Sequence, residues 1–240
     1  MKKTVSLFSL AAATSFWRIL LLLVALAATQ LLAAWAMLLN RVGSLSLEQI
    51  LDLHVYRFSP AVAVTLATVV LLVGYGGSRS RVNYTMSRLS LSARSVLRIH
   101  VVYCTGVYLL FWLFQVTVVM AAMVLYHSIM DPSEISPQLA LLTCYRSVYL
   151  HPLLPLADWP FWVTTPLICL GLGVNTAIGM MRSWEGKIYL PPVVFSLLTA
   201  LYAAKPGDYA WAICLVFVLW AGVCVSYYQY INSKAREVVT

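Results

Sequence analysis

Residues Ile19–Leu39 read ILLLLVALAATQLLAAWAMLL. The stretch holds no charge, and Gln30 is its most polar side chain. A helix rises about 1.5 Å per residue, so about 20 apolar residues are enough to cross a hydrocarbon layer roughly 30 Å thick. The stretch therefore reads as a membrane span. Composition extends that reading to the whole chain. Of 240 residues, 62% are hydrophobic and only 10% charged, with a mean hydropathy of +0.85. A soluble domain carries about 25% charged residues. A folded soluble chain of this size has no interior large enough to hide so much apolar surface, so the solvent is lipid.

Five further runs have the same character: Phe58–Tyr75, Ile99–Tyr126, Phe161–Met181, Ile188–Ala204 and Tyr209–Tyr230. Together they predict an all-α integral membrane protein, a single domain over residues 1–240 with six transmembrane helices. The fifth run is the shortest and opens with Pro191 and Pro192, which suit a helix's first turn because its N–H groups lack intrahelical partners anyway. Ahead of the first span, MKKTVSLFSLAAATSFWR imitates a signal peptide but leads straight into a full-length apolar run. It is expected to be retained, as a short amphipathic segment at the membrane surface. Between the third and fourth spans, residues 136–158 are apolar in the middle but too short and proline-broken to cross, which predicts a re-entrant or interfacial segment.

Charge orients the spans. With both termini inside, the inner segments hold Lys2, Lys3, Arg18, Arg79, Arg81, Arg88, Arg94, Arg98, Arg182, Lys187, Lys234 and Arg236. The outer ones hold only Arg41, Arg57, Arg146 and Lys205. Lysine and arginine favour the cytoplasmic side. The net charge of +8 is thus a loop bias, and nucleic acid is not an expected partner.

Little in the chain suggests chemistry. No span interior carries Asp, Glu, Lys or Arg, which disfavours an ion-driven carrier or a channel. His100 and His127 read as interfacial residues at the two ends of the third span. Gly186-Lys187 is followed by Ile188, where a phosphate-binding loop needs Ser or Thr. The five cysteines form no CxxC pair and suggest neither a zinc site nor a disulfide framework. No catalytic residue and no metal ligand is expected. Gln30, Gln115, Thr117, Thr165 and Asn175 are the polar residues within spans. They suit interhelical hydrogen bonds, and Gln30, Gln115 and Asn175 are candidates for lining a pathway. Gly171, Asn175 and Gly179 form a stripe of small residues for close packing, within the chain or between two copies. Pro166 is expected to kink its helix.

The second and third spans are joined by GYGGSRSRVNYTMSRLSLSARSVLRIH, residues Gly74–His100. Val82, Met86 and Leu89 fall on one helical face, with Arg81, Thr85 and Arg88 beside it. This predicts a short amphipathic helix from Ser80 to Leu89, with Ser90 and Ser92 as N-caps for the next helix. Such a helix suits either lipid phosphates or a cytoplasmic partner's groove.

The layout of spans, together with YTMSRLSLSARSVLR, resembles the permease subunits of type-2 ABC exporters. In that family a Tyr-Thr-x-x-Arg-Leu-x-Leu-Ser type stretch at this place is the coupling helix, here matched by Tyr84, Thr85, Arg88, Leu89, Leu91 and Ser92. Small bacterial permeases of this kind are also similar over YRSVYLHPLLPLADWPFW, Tyr145–Trp162. The resemblance implies a multi-pass protein of the bacterial plasma membrane that docks on separate ABC ATPase subunits through Arg81, Val82, Tyr84, Thr85, Met86, Arg88 and Leu89. The chain would bind no cofactor, with ATP and magnesium on the partner, and would pair with a second copy or a sister permease. The uncharged spans suit an apolar or amphipathic cargo such as a peptide antibiotic, a drug or a lipid-like molecule. The sequence departs from the family between spans five and six, where many members have re-entrant helices and this chain has KPGDY. A non-transporting anchor, sensor or assembly subunit that recruits a partner through the same basic segment is the alternative.

Overall fold

The computed structural model describes residues 2–40, 46–73, 92–129, 138–147, 149–154, 159–184, 189–204 and 209–239. These form nine helices and no strand. They are α1 (Lys2–Asn40), α2 (Leu47–Leu51), α3 (His54–Val73), α4 (Ala93–Ile129), α5 (Leu139–Arg146), α6 (Leu150–Leu153), α7 (Trp159–Trp184), α8 (Pro191–Ala204) and α9 (Tyr209–Val239). The segment expected to dock a partner, Ser80–Leu89, lies outside the described residues.

Among the described residues, five helical stretches, against the six expected, are long and apolar enough to cross a membrane: 11–39, 47–73 (α2 with α3), 94–129, 160–183 and 210–232. The protein is therefore a multi-pass all-α membrane protein. The fifth apolar run yields only α8, 14 residues or about 21 Å of helix. It is short because the helix starts at Pro191. Leu190 precedes it, and its carbonyl accepts from Val193 and Val194 at 2.9 and 3.2 Å.

The N-terminal residues correct a second expectation. They form no separate surface segment, because α1 is one unbroken helix of 39 residues. Ala11, Ser15, Ile19, Leu23, Leu26, Gln30, Ala34 and Leu38 are all buried, a single stripe at helical spacing that runs from the N-terminal segment into the span. No Gly or Pro interrupts it. At the start of α4, Ser92 caps as predicted: its Oγ accepts from the Ser95 N–H at 3.3 Å. α7 continues through Pro166 without ending.

Side-chain contacts fix the helix directions. Ser15 meets Tyr103 and Gln30 meets Gln115, so α1 and α4 run parallel. Thr68 bonds Tyr108 while Ser59 accepts from Gln30, so α3 runs against both. Cys104 touches Met180, Tyr108 bonds Thr176, and Trp112 stands edge-on to Trp162, so α7 opposes α4. Leu219 lies beside Gly171 and Ser226 donates to Asn175, so α9 runs parallel to α7. α8 is the return stroke between those two. It begins where Pro192 faces Gly179 and Leu72, and it ends with Tyr202 near Pro60. Six helices thus traverse the bundle in alternating directions. The starts of α1, α4 and α8 lie at the same end as the ends of α3, α7 and α9.

α1, α3, α8, α7 and α4 pack as a ring, and α9 lies outside it against α7. α7 is the most enclosed, with 56% of its apolar window buried, against 28% for α1 and 22% for α9. The last two present their other faces to lipid. α4 and α7 make the most extensive packing of any pair, and Gly173 permits it. A Cβ there would sit 2.8 Å from the backbone nitrogen of Thr105 and 2.9 Å from its Cα. The stripe of Gly171, Asn175 and Gly179 packs within the chain, against Leu219, Ser226 and Pro192. A separate core at the opposite end gathers Leu38, Leu47, Leu51, Tyr56, Met123, Cys144 and Leu150, where α5 and α6, covering much of residues 136–158, fold down onto the helix ends. Arg57 pairs there with Asp52 at 3.3 Å and Arg146 with Glu48 at 3.8 Å. The Ser147 hydroxyl donates to Asp52 at 3.0 Å.

Candidate functional site

The ring borders a half-open pocket of about 180 Å³. α4 supplies Tyr108, Phe111, Trp112 and Gln115, and α7 supplies Thr165, Ile168, Cys169 and Leu172. Leu26, Pro60 and Val64 close it from α1 and α3, and Thr199 and Tyr202 from α8. Tyr149 and Leu153 cover it from the short helical segment. α8 packs chiefly against α3.

A polar network edges the cavity. Gln30 and Gln115 exchange amide hydrogen bonds of 3.1 and 2.9 Å. Gln115 also donates to the Tyr149 hydroxyl at 2.7 Å, and Gln30 donates to Ser59 at 2.8 Å. The Tyr56 hydroxyl donates to the Gln30 carbonyl at 3.2 Å. In lipid an unpaired amide has no water to fall back on, so reciprocal pairing keeps both glutamines inside the bundle. Burial pushes the Tyr149 phenol above its ordinary value, opposed by the hydrogen bond from Gln115, and it remains a neutral hydroxyl. On the far wall, Tyr108 bonds both Thr68 and Thr176 at 2.8 Å. Two donors are left over. The Trp112 Nε1–H is buried without a partner among the described residues. Tyr149 uses its oxygen to accept from Gln115, and its own proton has no acceptor among the described residues.

Of the three pathway candidates, Gln115 lines the cavity, Gln30 stands behind it as its partner, and Asn175 lies elsewhere. The Asn175 amide donates to the Gly171 carbonyl at 3.3 Å and its oxygen accepts from Ser226, which in turn accepts from Tyr189 at 2.6 Å. Thr165 is on the wall, whereas Thr117 is exposed and bonds the Leu113 carbonyl within its own helix. His100 packs inside the bundle. It is buried, with Nδ1 2.8 Å from the Val96 carbonyl, because α4 begins almost two turns earlier than the apolar run. Arg81, Val82, Tyr84, Thr85, Met86, Arg88 and Leu89 lie outside the described residues.

Sequence reading missed Trp112, Tyr108 and Tyr149. Tyr108 carried a signal, since a tyrosine far from either interface needs a partner for its hydroxyl. Tyr149 carried none, because its place over the cavity depends on how residues 139–153 fold back. The cavity wall offers neutral hydrogen-bonding groups and one thiol, and no carboxylate, imidazole, ammonium or guanidinium group. Such a site can hold an uncharged molecule. Among the described residues, no cluster of three or more His, Cys, Asp or Glu is positioned to hold a metal. Comparison of the chain with protein-family models, with curated proteins and with solved structures finds no match.

Proposed function

We propose that the chain is the permease subunit of an ATP-driven exporter of the type-2 ABC kind, acting in a bacterial plasma membrane with separate ATPase subunits and a second permease. The observation that carries this reading is the common end of the bundle. Val73 and Ala93, which bracket the Tyr84–Ser92 stretch, lie at the same end as the start of α1 and the end of α9. That end also carries most of the basic residues, so it faces the cytoplasm, where an ATPase is found. α8 then counts as the sixth span, thinning the bilayer or recessed within the bundle. ATP and magnesium belong to the partner. Closure of the ATPase pair pushes on the linker and tilts α3 against α4. The apolar cavity and the uncharged spans suit an apolar or amphipathic cargo.

Co-purification from the native membrane tests this. An ATP-binding subunit travels with the chain, and Met86→Asp with Leu89→Asp releases it. Absence of any such subunit overturns the reading. A second reading, a non-transporting anchor or assembly subunit, is favoured by one observation: Gln30 with Gln115, Tyr108 with Thr176, and Asn175 with Ser226 bond one another in separate clusters rather than along one continuous path. Loss of cargo movement in vesicles when Met86 and Leu89 are changed separates the two.

A further inference from the structure

The ring of helices is not equally tight all round. α3 packs extensively on α8, α4 on α7, and α1 on both α3 and α4, whereas α7 and α8 share the thinnest seam in the ring. Both helices of that seam line the half-open pocket, α7 with Thr165, Ile168, Cys169 and Leu172 and α8 with Thr199 and Tyr202. Thr165, Ile168, Thr199 and Tyr202 are partly exposed, while Cys169 and Leu172 lie deeper and are buried. α9 puts no residue on the pocket wall. Beside the wall residues, Val163 on α7 and Leu198 and Leu201 on α8 are exposed. In a multi-pass membrane protein so apolar a surface meets lipid chains.

Shape and lining restrict what fits. Residues 108–115 of α4 and 165–172 of α7 form two long walls, each about 10 Å from end to end. The pocket is thus a slot parallel to the helix axes, which is also the direction of the chains in a bilayer. A site of about 150 Å³ takes up benzene. On that scale, about 180 Å³ has room for roughly seven carbons of a chain. Leu26, Val64, Phe111, Ile168 and Leu172 supply most of the surface. The polar groups beside them are engaged within the protein. Both Gln115 amide protons are taken, by Gln30 and by Tyr149. Tyr108 bonds Thr68 and Thr176, and Thr199 donates to the Phe195 carbonyl at 2.9 Å. The Trp112 Nε1 is shielded. The slot therefore offers dispersion contact and asks for no hydrogen bond. Left empty, its lining forfeits those contacts. Bilayer chains are the solvent at its mouth, so mass action favours them over any dilute apolar molecule.

We infer that one acyl chain of a bilayer lipid enters between α7 and α8 and occupies this slot, with its headgroup outside the bundle. The inference rests on the chain being a multi-pass membrane protein and not on the permease reading, and its test involves neither an ATPase nor transport.

The full chain is placed in nanodiscs containing a phosphatidylethanolamine with a diazirine at the middle of one acyl chain. After irradiation, labelled residues are read by peptide mass spectrometry. Cys169 and Leu172, only 7% and 2% exposed, are labelled, because a lipid chain reaches them through the slot. Leu38 and Ile178, buried away from it, are not. Leu201 and Phe217, both exposed, report ordinary contact with the bilayer. A phosphatidylethanolamine carrying the diazirine on its headgroup labels neither Cys169 nor Leu172. Val64→Phe and Thr199→Phe fill the slot from different helices. Each removes the label from Cys169 and Leu172 and leaves it on Leu201 and Phe217, in protein that still elutes as a single helical species. Absence of label at both Cys169 and Leu172 in the unaltered chain overturns the inference, as does label there that survives both filling substitutions. A last arm uses free trifluoromethyl-phenyldiazirine. Label on the wall from that reagent, with none from the lipid, assigns the pocket to a free apolar molecule and overturns the lipid.

Discussion

Gln30 and Gln115 show why a buried polar pair in lipid works as a unit. Each amide satisfies the other, and Gln115 further engages Tyr149. Gln115→Leu leaves the Gln30 amide and the Tyr149 hydroxyl short of partners. The expected cost is roughly 1–2 kcal/mol, above the average single hydrogen bond in a membrane helix because two groups are orphaned. The Gln30→Leu, Gln115→Leu double variant recovers part of that loss, and denaturant unfolding in mixed micelles measures both. Two glycines make a sharper contrast. Gly173→Ala drives a methyl into the Thr105 backbone and forces α4 and α7 apart, at about 1–3 kcal/mol. Gly106 follows Thr105 directly on α4, yet nothing stands within 4 Å of where its Cβ would be. Gly106→Ala is therefore neutral or stabilising by up to about 1 kcal/mol, and equal losses at the two sites would refute the packing described. At this scale the sequence was partly legible. Gln30, Gln115 and Asn175 are conspicuous in apolar runs, but which partner each takes depends on helix register, and spacing along a single helix carries no information about that. Gly173 was invisible for the same reason, since the stripe at Gly171, Asn175 and Gly179 drew attention to a different face.

Elements were more legible than contacts. Long uncharged runs marked α1, α3, α4, α7 and α9, because lipid demands internally satisfied backbone over a fixed thickness. Ser92 was legible as a cap because N-capping is local chemistry. Ser92→Ala costs roughly 1 kcal/mol at that helix end and is seen as faster amide exchange over residues 93–96, with the middle of α4 unchanged. The continuity of α1 was not legible. The N-terminal stretch read as a short amphipathic segment at the membrane surface, but the buried stripe of Ala11, Ser15 and Ile19 depends on α4 extending far enough to meet it, through Ser15 against Tyr103. The same holds for α5 and α6, whose sequence is too short to span and whose course is set by tertiary partners. Asp52 ties them down, accepting from Ser147 and pairing with Arg57. Asp52→Asn weakens both ties. The ion pair is partly exposed and contributes less than about 1 kcal/mol, so global stability barely moves. Amide exchange over 139–153 quickens all the same, because the Ser147 hydroxyl that Asp52 accepts from sits at the joint between α5 and α6. If exchange there is unchanged, Asp52 is not what holds the segment over the cavity.

For the molecule as a whole, α8 decides the topology. By length alone it falls short of a span, and a count of five spans would put the two termini on opposite sides of the membrane. The packing argues otherwise. α7 and α9 run in the same direction, through Gly171 beside Leu219 and Asn175 beside Ser226. A chain joining two parallel neighbours end to start must travel back along their length. α8 does so from Pro192 beside Gly179 to Tyr202 beside the cavity. The phenyl ring of Phe195 occupies the space over Gly222 and locks the return stroke against α9. Both chain ends then lie at one end of the bundle, and since basic residues favour the cytoplasmic side, a shared cytoplasmic side for the two termini is the topology proposed. Short epitopes at the two termini are expected to be shielded together from protease in sealed right-side-out vesicles and to become accessible together in inverted ones. An epitope inserted after Gly207, between α8 and α9, shows the opposite pattern. Opposite protection of the two termini would mean that α8 turns back without crossing. Gly222→Phe probes the same joint from inside: with Phe195 displaced, α8 loses its seat and the epitope at 207 becomes accessible from both sides.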